Sequence, residues 1–235
     1  MCDQCDRGTL GRRGLLMGGL ALSLAVPFGG RAFAQTTATP PASPDEAIQR
    51  LMDGNARYVA NTPNNADHSV TRNTRAAGQS PFAAIVACAD SRVVPELIFD
   101  QAPGDLFVVR VAGNFLSEDG IASLEFAAAV LGVQAVMVLG HTSCGAIRAT
   151  IDSIRDNELP PGHLPSLVNA IRPAVYNAMQ QNPEDLLAAA TAENAVYNAR
   201  IAAETGPILS DMNESGTVKS IAGVYDIATG KVAFL

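Results

Sequence analysis

The chain has 235 residues, 48% of them hydrophobic and 17% charged, and carries a formal net charge of −7. That composition fits one soluble α/β domain with enough apolar material for a sizeable core, and it excludes the disordered and fibrous classes. The acidic balance excludes an electrostatic nucleic-acid footprint, which needs Lys and Arg clustered on a basic domain, so nucleic acid is not an expected partner.

Residues 1–34 read as a signal peptide. Arg12 and Arg13 precede an apolar run from Leu15 to Phe28, and Ala32-Phe33-Ala34 gives a small-x-small cleavage pattern. The run is broken by glycines and Pro27 and falls short of the roughly 20 apolar residues of a membrane span, so cleavage after Ala34 is expected rather than anchorage. The arginine pair with Leu15 and Leu16 resembles a twin-arginine signal, which implies transient contact with the twin-arginine export machinery and a bacterial periplasmic location for the folded product. Cleavage leaves 12 basic and 21 acidic residues, a net charge of −9. It also discards Cys2 and Cys5, whose C-x-x-C spacing would otherwise suggest redox or metal chemistry.

Residues 35–43 are small, polar and proline-rich, as in a flexible linker, and one domain is expected over 44–235. Ser43-Pro44-Asp45-Glu46 offers an N-cap, a proline at the first helical position and a Glu that completes a capping box. The helix it predicts runs to about Ala60, with Ile48, Leu51, Met52 and Ala56 at helical spacing. Unbroken apolar runs at 82–87, 106–111 and 135–139 predict strands buried on both faces. Between the last two, 118–131 has Ile121, Leu124, Phe126, Ala128 and Leu131 in a helical pattern, and strand, helix, strand in this order implies parallel pairing of the two strands by a right-handed crossover. Beyond His141 the pattern is mostly helical, interrupted at Pro160-Pro161, Pro173 and Pro183. An edge hairpin, 218–225 and 232–235 around Thr229-Gly230, closes the chain.

Two short segments concentrate the chemistry. Cys88-Ala89-Asp90-Ser91-Arg92 and His141-Thr142-Ser143-Cys144-Gly145 both fall just past strand ends, where open α/β sheets place their ligands, and Cys88 and His141 are 53 residues apart. Two thiols in an oxidising compartment ordinarily read as one disulfide, but that leaves Asp90, Arg92 and His141 without a role. Zn²⁺ takes thiolate and imidazole ligands tetrahedrally, and a catalytic site supplies three of them with one position open, which Cys88, His141 and Cys144 satisfy. Asp90 and Arg92, two apart on an extended chain, point the same way. A guanidinium beside the carboxylate keeps Asp90 ionised and oriented toward a zinc-bound water. Released by Arg92, Asp90 would become a fourth metal ligand and shut the site. Two thiolates donate more charge than imidazoles and weaken the metal's Lewis acidity, so Asp90 and the surrounding hydrogen bonds must help make hydroxide available.

The sequence resembles the β-class carbonic anhydrases. The resemblance runs through Gly54-Asn55-Ala56-Arg57-Tyr58, Gln79-Ser80-Pro81, Cys88 to Arg92, Pro95-Glu96-Leu97-Ile98-Phe99-Asp100, Gly104 to Arg110, Ser123-Leu124-Glu125, Leu139 to Gly145 and Gly223-Val224-Tyr225-Asp226. It implies a mostly parallel central sheet flanked by helices with a C-terminal antiparallel edge, and one Zn²⁺ per chain on Cys88, His141 and Cys144. It also implies an Asp90-Arg92 dyad, substrate contacts from Gln79 and Gly145, and reversible hydration of CO₂ to bicarbonate and a proton. A homodimer or higher homo-oligomer is implied, with the first helix lying on the partner. Relatives with the same ligands hydrolyse carbon disulfide or carbonyl sulfide, and a non-catalytic zinc module is the further alternative, although no ligand is lost here. Family members with a second, inhibitory bicarbonate site hold it in a Trp-Arg-Tyr cluster. The corresponding positions are Ile85, Arg110 and Phe126, so only the arginine remains and no such inhibition is expected. His68 and His163 read as surface residues, either of which can relay protons.

Overall fold

The computed structural model describes residues 39–65 and 72–235. The signal assignment, the start of the linker and His68 lie outside those residues. In chain order the elements are α1 (Pro44–Val59), α2 (Arg72–Arg75), β1 (Ala83–Ala87), α3 (Pro95–Ile98), β2 (Leu106–Arg110), α4 (Glu118–Ala129) and β3 (Ala135–His141), followed by α5 (Gly145–Asp156), α6 (Leu164–Gln180), α7 (Leu186–Glu204), α8 (Ile208–Glu214), β4 (Lys219–Tyr225) and β5 (Val232–Phe234). Among them no helix is long and apolar enough to cross a membrane.

The first helix starts where its capping chemistry places it: Ser43 Oγ accepts the Glu46 N–H at 3.2 Å. Glu46 reaches back one residue further than a capping box requires, taking the Ala42 N–H at 2.7 Å rather than that of Ser43. The three apolar runs became parallel strands in a five-stranded sheet of order β2-β1-β3-β4-β5, with only β5 antiparallel; β2 and β3, joined through α4, do not pair as expected, because β1 lies between them. β1 and β3 are buried at every position, which is why they read as continuous apolar stretches rather than alternating ones.

The sheet separates two hydrophobic layers. Ala83, Ile85, Met137, Leu139 and Tyr225 pack with Leu51 of α1 and with Ile98 and Phe99. Ala84, Val86, Val136 and Val138 pack with α4 and with Ala195, Ala199 and Ala202 of α7. A third cluster joins Cys88 and Cys144 to Ile147 and Ile151 of α5 and to Ile171 and Val175 of α6, so the C-terminal end of the sheet is sealed by helices that follow it in the chain.

Pro173 does not interrupt the chain as expected but lies inside α6. The missing N–H costs a helix about 3 kcal/mol, and α6 offsets it by burying Val168, Ile171, Ala174, Val175 and Ala178 along one face. Pro160-Pro161 and Pro183 do fall between helices.

Candidate metal centre

β1 and β3 pair in parallel with Ala87 opposite Leu139, so the residues that follow those positions leave the sheet side by side. Cys88 is the first residue beyond β1. His141 is the last residue of β3 rather than a loop residue, still paired with Tyr225. Cys144 is the N-cap of α5, reached through Ser143 at φ 59. One strand end and one strand-to-helix turn therefore bring the three side chains together: their ligand atoms all lie within 4.8 Å of one another, and all three residues are buried.

The donor set fits a zinc ion by its own chemistry. His141 Nδ1 lies 3.0 Å from the Thr142 carbonyl oxygen, which fixes the proton on Nδ1 and leaves Nε2 with a lone pair. Nε2 is buried and has no hydrogen-bond partner among the described residues, the state of an imidazole waiting for a cation. Cys88 Sγ accepts N–H groups from Gly113 at 3.2 Å and Asp90 at 3.4 Å. Hydrogen bonding from Cys144 and from these N–H groups outweighs burial and draws Cys88 down to about 4, a thiolate at neutral pH. The same contact with Cys88, together with burial, pushes the Cys144 thiol up, against the N–H groups of the first turn of α5. A thiol pair sharing one proton at such close range binds a dication well, because the metal replaces that proton.

Asp90 stands beside the cluster. Its Oδ1 accepts from Arg92 Nε at 2.9 Å and from the Arg92 backbone N–H at 3.0 Å, and its Oδ2 accepts from Arg92 at 2.7 Å. This bidentate pair holds the carboxyl well below the usual carboxylate range. The pair forms, but not by the extended geometry expected: the chain turns at Ser91 and Arg92, and the turn folds Arg92 back over Asp90. Oδ2 lies 4.0 Å from His141 Nε2, at the mouth of the metal position rather than in it.

Two further sets of residues hold the site, and neither stood out in the sequence as doing so. Arg110, at the end of β2, donates to the Cys88 carbonyl at 3.1 Å and the Asp90 carbonyl at 2.7 Å, pinning the backbone that carries both residues. Buried Asn194 on α7 donates to the Gly113 carbonyl at 2.9 Å. Gly113 sits at φ +84, and a Cβ there would come within 2.4 Å of Ile171 Cδ1, so any other residue is strained at this position.

Of the other expected residues, Gly145 opens α5, exposed, with open space where a Cβ would project. Gln79 is not brought to the cluster. It is exposed and precedes β1, and the five strand residues carry the chain about 17 Å onward to Cys88. Ile85 is fully buried in the core and Phe126 is 48% exposed, tilted against Phe107 with ring centroids 6.5 Å apart. His163 is exposed at the start of α6.

Comparison with known proteins matches residues 83–232 to the carbonic anhydrase family. Carbonic anhydrase 2 of Mycobacterium tuberculosis is 45% identical over 137 residues, 58% of this chain and 66% of that protein; the match thus spans just under two thirds of the relative's length. A Pseudomonas aeruginosa carbonic anhydrase is 35% identical over 164 residues, 66% of this chain and 73% of that one. Among solved structures, the β-carbonic anhydrase CcaA superposes with a TM-score of 0.60 at 27% identity, covering 80% of this chain and 94% of its own.

Proposed function

Since the chain belongs to the carbonic anhydrase family, on the β-class fold, we propose that it catalyses the reversible hydration of CO₂ to bicarbonate and a proton at one Zn²⁺ held by Cys88, His141 and Cys144. The observation that carries this reading is the buried Cys-His-Cys cluster with an unpartnered His141 Nε2 and a carboxylate fixed at its mouth. What zinc supplies when bound is a hydroxide nucleophile at neutral pH.

The chain's own residues do the rest. Asp90, locked by Arg92, is an acceptor of fixed direction: it accepts a hydrogen bond from the attacking water and so turns an oxygen lone pair toward the carbon of CO₂, while the proton released passes to solvent. With both oxygens engaged by Arg92, Asp90 stays off the metal, and turning Arg92 away is what would let it close the site. Arg110 keeps Cys88 and Asp90 at constant spacing through their carbonyls. The Gly145 N–H, in the first turn of α5, is free to bind a bicarbonate oxygen. Gln79 enters at the other end of β1, so a substrate contact from it requires a second copy of the chain, and we assign a homodimer as the smallest complete unit. Arg12-Arg13, the apolar run after them and Ala32-Phe33-Ala34 support twin-arginine export and a periplasmic location; the N-terminal residue of protein recovered from a periplasmic fraction tests that assignment.

Zinc content measured beside stopped-flow CO₂ hydration on the same preparation tests the function. About one zinc per chain with rapid hydration is the expected result. Stoichiometric zinc without hydration of CO₂ would overturn it, and turnover of carbonyl sulfide or carbon disulfide by that preparation would replace it.

A further inference from the structure

We propose that Asn194 and Asn198 are positioning residues of the metal centre, fixing the 111–116 turn so that the Gly113 N–H stays on Cys88 Sγ and draws charge off that thiolate. The proposal rests on the reading of Cys88, His141 and Cys144 as zinc ligands and deepens it.

α7 otherwise buries mainly small apolar residues against the sheet, among them Ala190, Ala195, Ala199 and Ala202. Two carboxamides in that face, Asn194 fully buried and Asn198 1% exposed, are costly unless every hydrogen bond is made. Both side chains are bonded, and each sends one bond to the turn. Asn194 Nδ2 donates to the Gly113 carbonyl at 2.9 Å. Its orientation is imposed by Asn198, whose Nδ2 donates to the Asn194 carbonyl at 2.9 Å and to Asn194 Oδ1 at 3.2 Å; with Oδ1 taken as acceptor, Nδ2 is the group left for Gly113. Asn198 Oδ1 in turn accepts the Leu116 N–H at 2.8 Å. One helical turn of α7 thus grips the loop at both Gly113 and Leu116, and the Gly113 N–H, on the peptide just before the held carbonyl, points at sulfur, 3.2 Å from Cys88 Sγ.

The chemistry gives that direction a purpose. Two thiolates oppose the electrophilicity on which hydroxide formation depends, and an N–H aimed at one of them reduces its donation to the metal. Neither asparagine touches a ligand, substrate or metal position, so both act through Gly113.

The test uses the full chain loaded with Co²⁺ in place of zinc, so that the thiolate-to-cobalt charge-transfer band reports sulfur donation directly. Asn194→Ala and Asn198→Ala are compared with Asn213→Ala, which removes an amide of similar bonding on α8, to the Leu209 carbonyl and the Ser220 N–H. In both test variants the band is expected to move to longer wavelength, and on zinc kcat is expected to fall about tenfold with little change in KM; the Asn213→Ala band stays in place. Bands at the wild-type position in both variants would overturn the proposal, whatever the change in thermal stability. Should Asn194→Ala not fold, Asn198→Ala decides alone. Absence of any thiolate-to-cobalt band in the wild type would instead overturn the ligand assignment, a distinguishable failure.

Discussion

Two segments meet at Cys88, and they are built on different scales. On one side, Asp90 finds Arg92 within a short loop where the side chains remain 20% and 52% exposed. On the other, Gly113 reaches Cys88 from a turn gripped by fully enclosed asparagines 81 and 82 residues further along the chain. The side-chain pair can open at small cost, since an exposed ion pair contributes little to stability. The turn cannot move without stranding buried amides. The difference separates two kinds of support: the Asp90 carboxylate is held by a pair that can open and shut, and the sulfur environment by a frame that cannot.

Variants break that division in order of expected effect. Cys144→Ser removes a ligand common to both sides; zinc by mass spectrometry should fall from about one per chain to trace, and hydration with it. Asp90→Asn touches only the soft side, so metal content should hold while stopped-flow hydration drops by about 100-fold or more; loss of zinc in this variant would mean that the loop is part of the rigid frame. Gly113→Ala attacks the rigid side, because its Cβ would meet Ile171 Cδ1 at 2.4 Å at a φ of +84. Urea unfolding should show a loss of about 1–3 kcal/mol, whereas Asp90→Asn should cost little.

Asp100 supplies a rigid clamp remote from the metal. Burial raises its carboxyl, but the Asn64 N–H, Arg57 and the Asn65 N–H together hold it below the usual carboxylate range. The unfolded chain therefore takes up the proton first, so the stability Asp100 provides is complete above about pH 4 and lost as pH falls through its lower native value. Asp100→Asn, which tolerates the φ of 46 at that position, should be about 1–3 kcal/mol less stable at pH 7, with the gap closing only in acid and hydration unaffected. The smallest expected effect is none. Arg110 is occupied by the Cys88 and Asp90 carbonyls, and Ile85 and Phe126 replace the partners an inhibitory bicarbonate site needs, so rates should fall hyperbolically with bicarbonate; sigmoidal pH dependence with bicarbonate bound beside Arg110 would contradict this.

The same two scales explain what the sequence disclosed. Cys88, Asp90, Arg92, His141 and Cys144 were legible because the first three and the last two each lie within five residues at the end of an apolar run; the strand order was not, because nothing in the pattern shows that β1 inserts between the two strands joined through α4. The strands and α4 were legible for the same reason, through unbroken or periodic apolar patterns. Asn194 and Asn198 were not, because an asparagine in a helix looks the same whether it faces solvent or clamps a turn more than 80 residues away. Arg110 was read only as a remnant of a missing cluster, since its bonds are to backbone carbonyls that no side-chain pattern reveals. Pro173 misled because its local cost is plain in the sequence while the face that outweighs it is assembled from three helices.

The separation between Gly113 and Asn194 also sets an order of events during folding. Local elements form quickly, but contacts between residues this distant must wait for loop closure, and Gly113 takes up its place on Cys88 only once α7 has docked on the finished sheet. Until then the two thiols and the imidazole, set side by side by β1 and β3, lack the N–H that holds Cys88. The position of the thiolate-to-cobalt band is therefore a reporter of completed folding: after dilution from denaturant it should reach its native wavelength only after the helical and sheet signals have recovered.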